Sequence, residues 1–431
     1  MRWWYKLTGC AIAACLLLTA CSSERPNANM NSPMQEEDLS EEGQTLTVIN
    51  PETVKDTKSN APSAEEGKKY QIQTRLTDFR LLGTTKGLAW GSTNSELRLY
   101  LTQDSGKTWT NISPASSVTF PNKPEYGRDI FFLNSEYGWI VRDTLGSGEA
   151  IVLRTGDGGA TWKMASLPEA DDVAAIYFLD QDRGWILTTG GDPDSSEAKA
   201  VYTTTNGGAT WRKIMSTPIL PKDTSSVDHT LPKLGEPTGM VFTDEKNGYI
   251  TMMEAGVPSL YVTKNGGSRW TKSTAFFERD KFTTCERFSL EAPDFHNGGG
   301  STGSVLFGCG RESVVKYNGY FTSDGGRTWT LAPFGLPWQS ADSENPSTTF
   351  LNSKEGWSLQ QATLYHTLDQ GRTWTVLPES EKLKEIMADY PEVVKIQFYS
   401  PNVGWLLVAQ SDKKRSLLMQ TQDGGVSWRV L

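Results

Sequence analysis

The chain has 431 residues, 37% of them hydrophobic, with a mean hydropathy of −0.46 and a formal net charge of −9. Its isoelectric point near 5.1 and its scattered basic residues exclude the charge footprint of a nucleic-acid binder. Its length allows one large domain or two ordinary ones, so internal repetition has to be examined before any boundary is drawn.

At the N-terminus Arg2 and Lys6 precede an apolar run, Leu7 to Ala20, too short for a permanent membrane span. Residues 1–20 read as a signal peptide. The run closes in Leu18-Thr19-Ala20-Cys21, which resembles the lipobox of bacterial lipoproteins. Cys21 is therefore the expected lipidation site, where two or three acyl chains give stable anchoring at the extracytoplasmic face of the cell membrane. Cys10 and Cys15 leave with the signal. Residues 21–69 are expected to be a lipid-anchored disordered tether, because Ser22 to Lys69 holds ten acidic and five basic residues and no aromatic one. Such a composition buries too little apolar surface to offset its ordering entropy.

From residue 70 onward one motif recurs in the form Ser/Thr-x-Asp-x-Gly-x-Thr-Trp. Its acidic or amide position is Asp104, Asp157, Asn206, Asn265, Asp324, Asp369 and Asp423, at spacings of 53, 49, 59, 59, 45 and 54 residues. Asp or Asn bonds backbone amides in a tight turn, Gly supplies positive φ, and the Trp anchors the next strand. These seven residues are structural. Two of the boxes carry neutral Asn, which speaks against catalytic carboxylates or a cation site.

A second element precedes most boxes: a Phe, then Gly-Trp or Gly-Tyr a constant six residues later. The pairs are Phe132/Gly138, Phe178/Gly184, Phe242/Gly248, Phe350/Gly356 and Phe398/Gly404, with turn formers between. Each unit thus reads as strand, turn, strand, strand, Asp-box turn and Trp-led strand. The sequence predicts an all-β fold, a seven-bladed β-propeller with four antiparallel strands per blade over residues 70–431. Tyr70 to Gln73 is available to pair onto the last blade and close the ring. The fifth unit departs from the pattern, with Phe288–Leu290 and Val305–Phe307 as its expected first strands. Cys285 and Cys309 lie symmetrically about the turn between them and form a disulfide candidate in an oxidising exported setting.

The tandem Phe-(x)₅-Gly-Trp and Asp-box units over residues 77–431 resemble the BNR/Asp-box propellers of the photosystem II assembly and stability factor type. That resemblance implies a non-catalytic scaffold binding another protein at a membrane surface. An arginine-rich surface serves this in photosynthetic members, and no Arg cluster here matches it. Asp boxes also occur in sialidases and xyloglucanases, so a glycan-binding protein or glycoside hydrolase is the alternative. The sialidase Phe-Arg-Ile-Pro segment is absent, only one propeller fits, and the loop carboxylates Asp223, Glu236, Glu278, Asp280 and Glu286 show no signature spacing. His229, His296 and His366 lack metal-ligand spacing, and no cofactor is called for.

Propeller geometry puts the Asp-box turns and first-hairpin turns on one face and the other connections on the opposite face. The long connections there carry the candidate binding residues Phe276, Phe277, Glu278, Arg279, Phe334, Trp338 and Tyr390, aromatic and Arg anchors of the kind protein interfaces use. The competing reading is that Phe276, Phe334 and Trp338 fold back onto the blades. Glu381 to Tyr390 is expected to form a short helix.

Overall fold

The computed structural model describes residues 44–49, 69–93, 96–114, 120, 123–144, 149–168, 170, 172–190, 199–217, 229–296, 300–340 and 347–431. Cys21 and Asp223 lie outside them. Seven antiparallel sheets follow one another along the chain, and each is built from consecutive strands. Blade 3 shows the pattern, with Asp172–Phe178 innermost, then Gly184–Thr189, Ala200–Thr204 and Arg212–Ser216. The other inner strands are Asp78–Leu81, Ile130–Phe132, Glu236–Phe242, Arg287–Leu290 with Asp294–Phe295, Thr348–Phe350 and Glu392–Phe398. No blade borrows a strand from another.

The Asp-box turns share one core of bonds, and the Asn265 box lacks the last of them because Arg269 stands where the others have a hydroxyl. In the first box the Thr102 hydroxyl donates to Asp104 Oδ1 at 2.9 Å and accepts the Gly106 amide at 3.0 Å. The Thr108 amide and hydroxyl then donate to the two Asp104 oxygens at 2.9 and 2.6 Å. Asn206 builds the same turn with one bond reversed, its Nδ2 donating to the Thr210 hydroxyl at 2.9 Å. Every box also donates a backbone amide to the first hairpin turn of its own blade, as in Gly158 N to Glu136 O at 2.9 Å and Gly207 N to Asp182 O at 2.8 Å. The two turn sets therefore share one face.

The Phe-(x)₅-Gly-Trp element is a clamp between blades. In blade 3 the Phe178 ring lies over Gly184, where a Cβ would stand 2.5 Å from the ring, so only glycine fits. The preceding blade's Trp139 stacks on the same Phe178 at 3.5 Å, and blade 3's own box Trp211 meets it edge-on at 5.9 Å. Trp139 Nε1 also donates to Gly207 O in blade 3's Asp box at 2.9 Å. Trp185 repeats this toward blade 4, stacking on Phe242 at 3.7 Å and bonding Gly266 O at 3.0 Å. Trp357 repeats it toward blade 7, stacking on Phe398 at 3.8 Å and bonding Gly424 O at 3.0 Å.

Blade 5 differs from expectation. Its inner strand continues past Leu290 and, after a break at residues 291–293, resumes as Asp294–Phe295, both pieces pairing with Gly303–Arg311. Pro293, which has no amide hydrogen, sits in the break. Phe295 then takes the clamp position against Tyr249, with centroids 5.2 Å apart. A Cys285–Cys309 disulfide, with Cα atoms 5.3 Å apart, ties the segment before Arg287–Leu290 to the long hairpin Gly303–Arg311 and Val314–Thr322 near its turn.

Gln44–Ile49, expected within the unstructured tether, is a strand, and this corrects the tether boundary. It pairs antiparallel with Lys69–Thr74, so Tyr70 to Gln73 joins this strand rather than the last blade. Two backbone bonds tie it to Trp109 of blade 1, at 2.8 and 2.9 Å. The Gln44 side chain reaches Leu418 and Leu431 of blade 7. Leu46 and Val48 are buried beside Trp109 and Trp405. The alternating apolar Leu46 and Val48 face explains the strand: it covers the seam where the last blade meets the first.

Candidate binding site at the propeller axis

The residue just before the clamp position is Arg80 in blade 1, Tyr177 in blade 3, Asp294 in blade 5 and Gln397 in blade 7. Charges on these non-adjacent blades act on one another: Asp294 supports the Arg80 cation, and Arg80 and Asp294 both act on Tyr177. Only the propeller axis brings blades 1, 3 and 5 together. Gln397 Oε1 accepts the Leu81 amide at 2.9 Å and so joins blade 7 to blade 1 at the same level.

Two positions earlier the ring becomes lopsided. Blades 1 and 7 supply Asp78 and Lys395, whereas blades 3, 4 and 5 supply Ala175, Gly239 and Ala292. Lys395 Nζ bridges to Asp78 Oδ1 at 2.9 Å and donates to Phe79 O at 2.8 Å. On the opposite wall, a Cβ on Gly239 would lie 2.2 Å from the Ala292 Cβ, so these small residues touch. One wall of the channel is charged and the other is small. The inner strands of blades 3, 4 and 7 slip register at the same level, at Val173/Ala175, Pro237/Gly239 and Val393/Lys395. The blade 5 break falls at the equivalent place, and bulges of this kind re-aim side chains beside sites.

That break delivers Glu291. Burial pushes its carboxyl up to about 7, Lys395 opposing and Glu125 reinforcing, and no hydrogen bond contributes. Part of its surface still opens to the channel. Tyr177 is likewise pushed up to about 12 by burial, with Tyr126 and Asp294 adding to the rise, again without a hydrogen bond. Arg80 lies over the Tyr126 ring at 4.8 Å. Burial works against its charge, but Tyr126, Asp294 and Asp78 outweigh that and keep it cationic. Burial lowers the Lys395 ammonium, opposed by Asp78. The arrangement offers a fixed cation, an unbonded neutral-to-anionic carboxyl and an unbonded phenol at one place, suited to gripping a polar group among aromatic rings.

The candidate residues on the outer loops are dispersed in role. Phe276 and Phe334, expected to present at an interface, are buried, and this corrects that expectation. Phe276 packs against Tyr320 at 4.8 Å and Trp329 at 6.0 Å, and Phe334 against Phe350 at 5.5 Å and Trp374 at 5.9 Å. Core seats were open to them because the blade 5 connections cross above interblade seams. Phe277 is half-buried among Phe282, Phe288 and Phe307. Arg279 is spent on the Phe282 and Cys285 carbonyls and lies over Phe288 at 4.9 Å. Glu278 pairs with Lys281 at 2.9 Å, Trp338 is 41% exposed, and Tyr390 closes the helix Glu381–Asp389 by donating to Ile386 O at 2.8 Å. Of the loop carboxylates, Glu236, Glu278, Asp280 and Glu286 are exposed. The buried His296, with its pKa lowered by burial, lies 3.3 Å from the Ser304 hydroxyl. His366 lies 3.2 Å from Glu355, and the His229 carbonyl accepts the Trp270 amide at 2.9 Å.

Residues 97–218 match the family described as Sortilin, neurotensin receptor 3. The chain is 29% identical over 127 residues to Vacuolar protein sorting/targeting protein 10 of Paracoccidioides lutzii, and 28% identical over 127 residues to that of Blastomyces gilchristii. The matched stretch is 28% of this chain, and the chain spans about 8% of the length of these relatives. Among solved structures, a puromycin-hydrolyzing peptidase of Mycobacterium tuberculosis aligns over 83% of this chain and 53% of its own, with TM-score 0.51 and 11% identity. An ulvan lyase aligns over 80% and 91%, with TM-score 0.50 and 8% identity. These likenesses establish the β-propeller fold.

Sequence reasoning missed the axial residues. Their signal was available: Arg80, Asp294 and Lys395 are charges placed one or three positions before a clamp residue, inside strands otherwise apolar.

Proposed function

We propose that this chain is a non-catalytic protein-binding propeller, tethered through acylated Cys21 at the extracytoplasmic face of a membrane, and that it holds its partner at the axial channel. The carrying observation is that Arg80, Tyr177 and Asp294 act on one another there, with Lys395 linking them to Glu291, and that the Glu291 and Tyr177 side chains have no hydrogen bond to a described residue. Both side chains are half-buried, so a partner's polar groups can reach them and add hydrogen bonds without breaking any that the protein makes. The match of residues 97–218 to a family of sorting receptors supports a protein as the ligand. The Asp-box pattern and its resemblance to the photosystem II assembly and stability factor type support an assembly scaffold. Exposed Trp338 provides a further anchor.

The test is capture from detergent-solubilised membranes with the full-length chain as bait. A specific protein should be recovered with the native bait and lost with Arg80→Gln and with Glu291→Gln, each checked for native melting. Equal recovery with all three baits refutes the axial site. Retention of a Cys21→Ser chain in the membrane fraction refutes the lipid anchor.

A further inference from the structure

A second site lies away from the axis, on the Asp-box face between blades 2 and 3. The strands of blade 2 set Trp139, Arg154 and Lys163 directly opposite one another, so their side chains share a face of the sheet. Trp139 stacks on Phe178, and that face is therefore the one turned to blade 3. At the end of this seam is a groove of ≈ 420 Å³, lined among others by Tyr137, Arg154, Lys163, Gln181 and Asp182.

What distinguishes the groove is that, among the described residues, none of these five side chains has a hydrogen bond or ion pair. Arg154 goes further, since its Nε is shielded from solvent and unbonded. In three other seams the residue opposite the clamp aromatic is hydrogen-bonded or apolar, and in blade 7 Gln420 opposite Trp405 is half-satisfied, its Oε1 accepting from Arg429 while its Nε2 is unbonded. Thr203 opposite Trp185 donates to Gly184 O at 3.1 Å, His366 opposite Trp357 meets Glu355, and Val262 stands opposite Tyr249. Blade 2 alone among these places an unpaired guanidinium there.

We infer that this groove binds a monosaccharide-sized sugar acid, a uronate-type unit. Two cations, Arg154 and Lys163, face a single unengaged carboxylate, Asp182, which fits a ligand that is anionic and also donates hydroxyls. A guanidinium fork matches a carboxylate bidentately. Gln181 and Asp182 supply the acceptors that sugar hydroxyls need, and the Tyr137 ring, against Gly156 at the groove edge, offers an apolar flank. The Asp157 carboxylate takes no part, being committed to its own turn.

The experiment is calorimetric titration of the full-length chain in detergent with glucuronate, glucose, sulfate and an N-acetylated glutamate amide. Glucuronate is expected to bind at least tenfold tighter than the other three. Arg154→Met should weaken glucuronate at least tenfold, and Asp182→Asn should weaken it while leaving any sulfate binding unchanged, both variants melting with the native chain. Glucose binding as tightly as glucuronate, sulfate or glutamate equalling it, or Arg154→Met leaving affinity intact would each overturn the inference. Absence of glucuronate binding at millimolar concentration would do the same.

Discussion

Two equivalent tryptophans should respond differently to the same substitution. Trp185 is 4% exposed and its Nε1 donates to Gly266 O at 3.0 Å, whereas Trp405 is fully buried and its Nε1 has no partner. Trp→Phe at either site removes similar volume from a packed seam, at about 1–2 kcal/mol. At Trp185 it also strands the Gly266 carbonyl, costing about 1 kcal/mol more, while at Trp405 it deletes an unsatisfied buried donor and recovers about 1 kcal/mol. Trp185→Phe should thus be the more destabilising by about 2 kcal/mol. Urea unfolding followed by circular dichroism reads this as a midpoint gap of roughly 0.7 M if m is about 3 kcal/mol/M. Equal midpoints, or a lower one for Trp405→Phe, would refute the account of the clamp as a hydrogen-bonded interblade contact.

The Cys285–Cys309 bond joins residues 24 apart, and opening a loop of that size should cost about 3 kcal/mol by chain entropy. A thermal midpoint unchanged by reductant would contradict this. At Asp369, hydrogen bonds from the Thr373 hydroxyl and amide hold the carboxyl below its ordinary range, so its contribution is present above that range and drains as pH falls through the lowered value. Asp369→Asn, which copies the boxes at Asn206 and Asn265, should flatten the acid limb of a melting-versus-pH curve and leave the neutral melting point within about 1 °C. Glu291 behaves oppositely. Its carboxyl is raised to about 7, so the folded protein holds that proton more tightly than the unfolded chain. Stability should decline as pH climbs from the ordinary carboxyl range to about 7 and level off above, and Glu291→Gln should remove that slope.

The axial channel and the Asp-box face divide the labour of the molecule. Recurrent interblade clamps stiffen the ring, so the inner strands can carry charges such as Arg80 and Lys395. Lys395 is stabilised by blade 1, where Asp78 stands 2.9 Å away and the Phe79 carbonyl accepts at 2.8 Å. Against regular seams the local exceptions stand out: the inner strand of blade 5 breaks at Glu291, and Arg154 places an unpaired guanidinium opposite Trp139.

The seven boxes, the clamp motif and thus the propeller itself were legible in the sequence, because each rests on bonds within a few residues or on a side chain that tolerates one neighbour. Asp104 reaches only to Thr108, and Gly184 is demanded by a ring six positions earlier. The ring closure, the burial of Phe276 and Phe334, and both candidate sites were decided by tertiary structure alone. Gln44 bonds residues more than 370 positions away, Arg80 of blade 1 is acted on by Asp294 of blade 5, and the groove at Arg154 is lined by blades 2 and 3 together. Local turn chemistry repeats and so announces itself, whereas a contact across a seam leaves no spacing for the sequence to show.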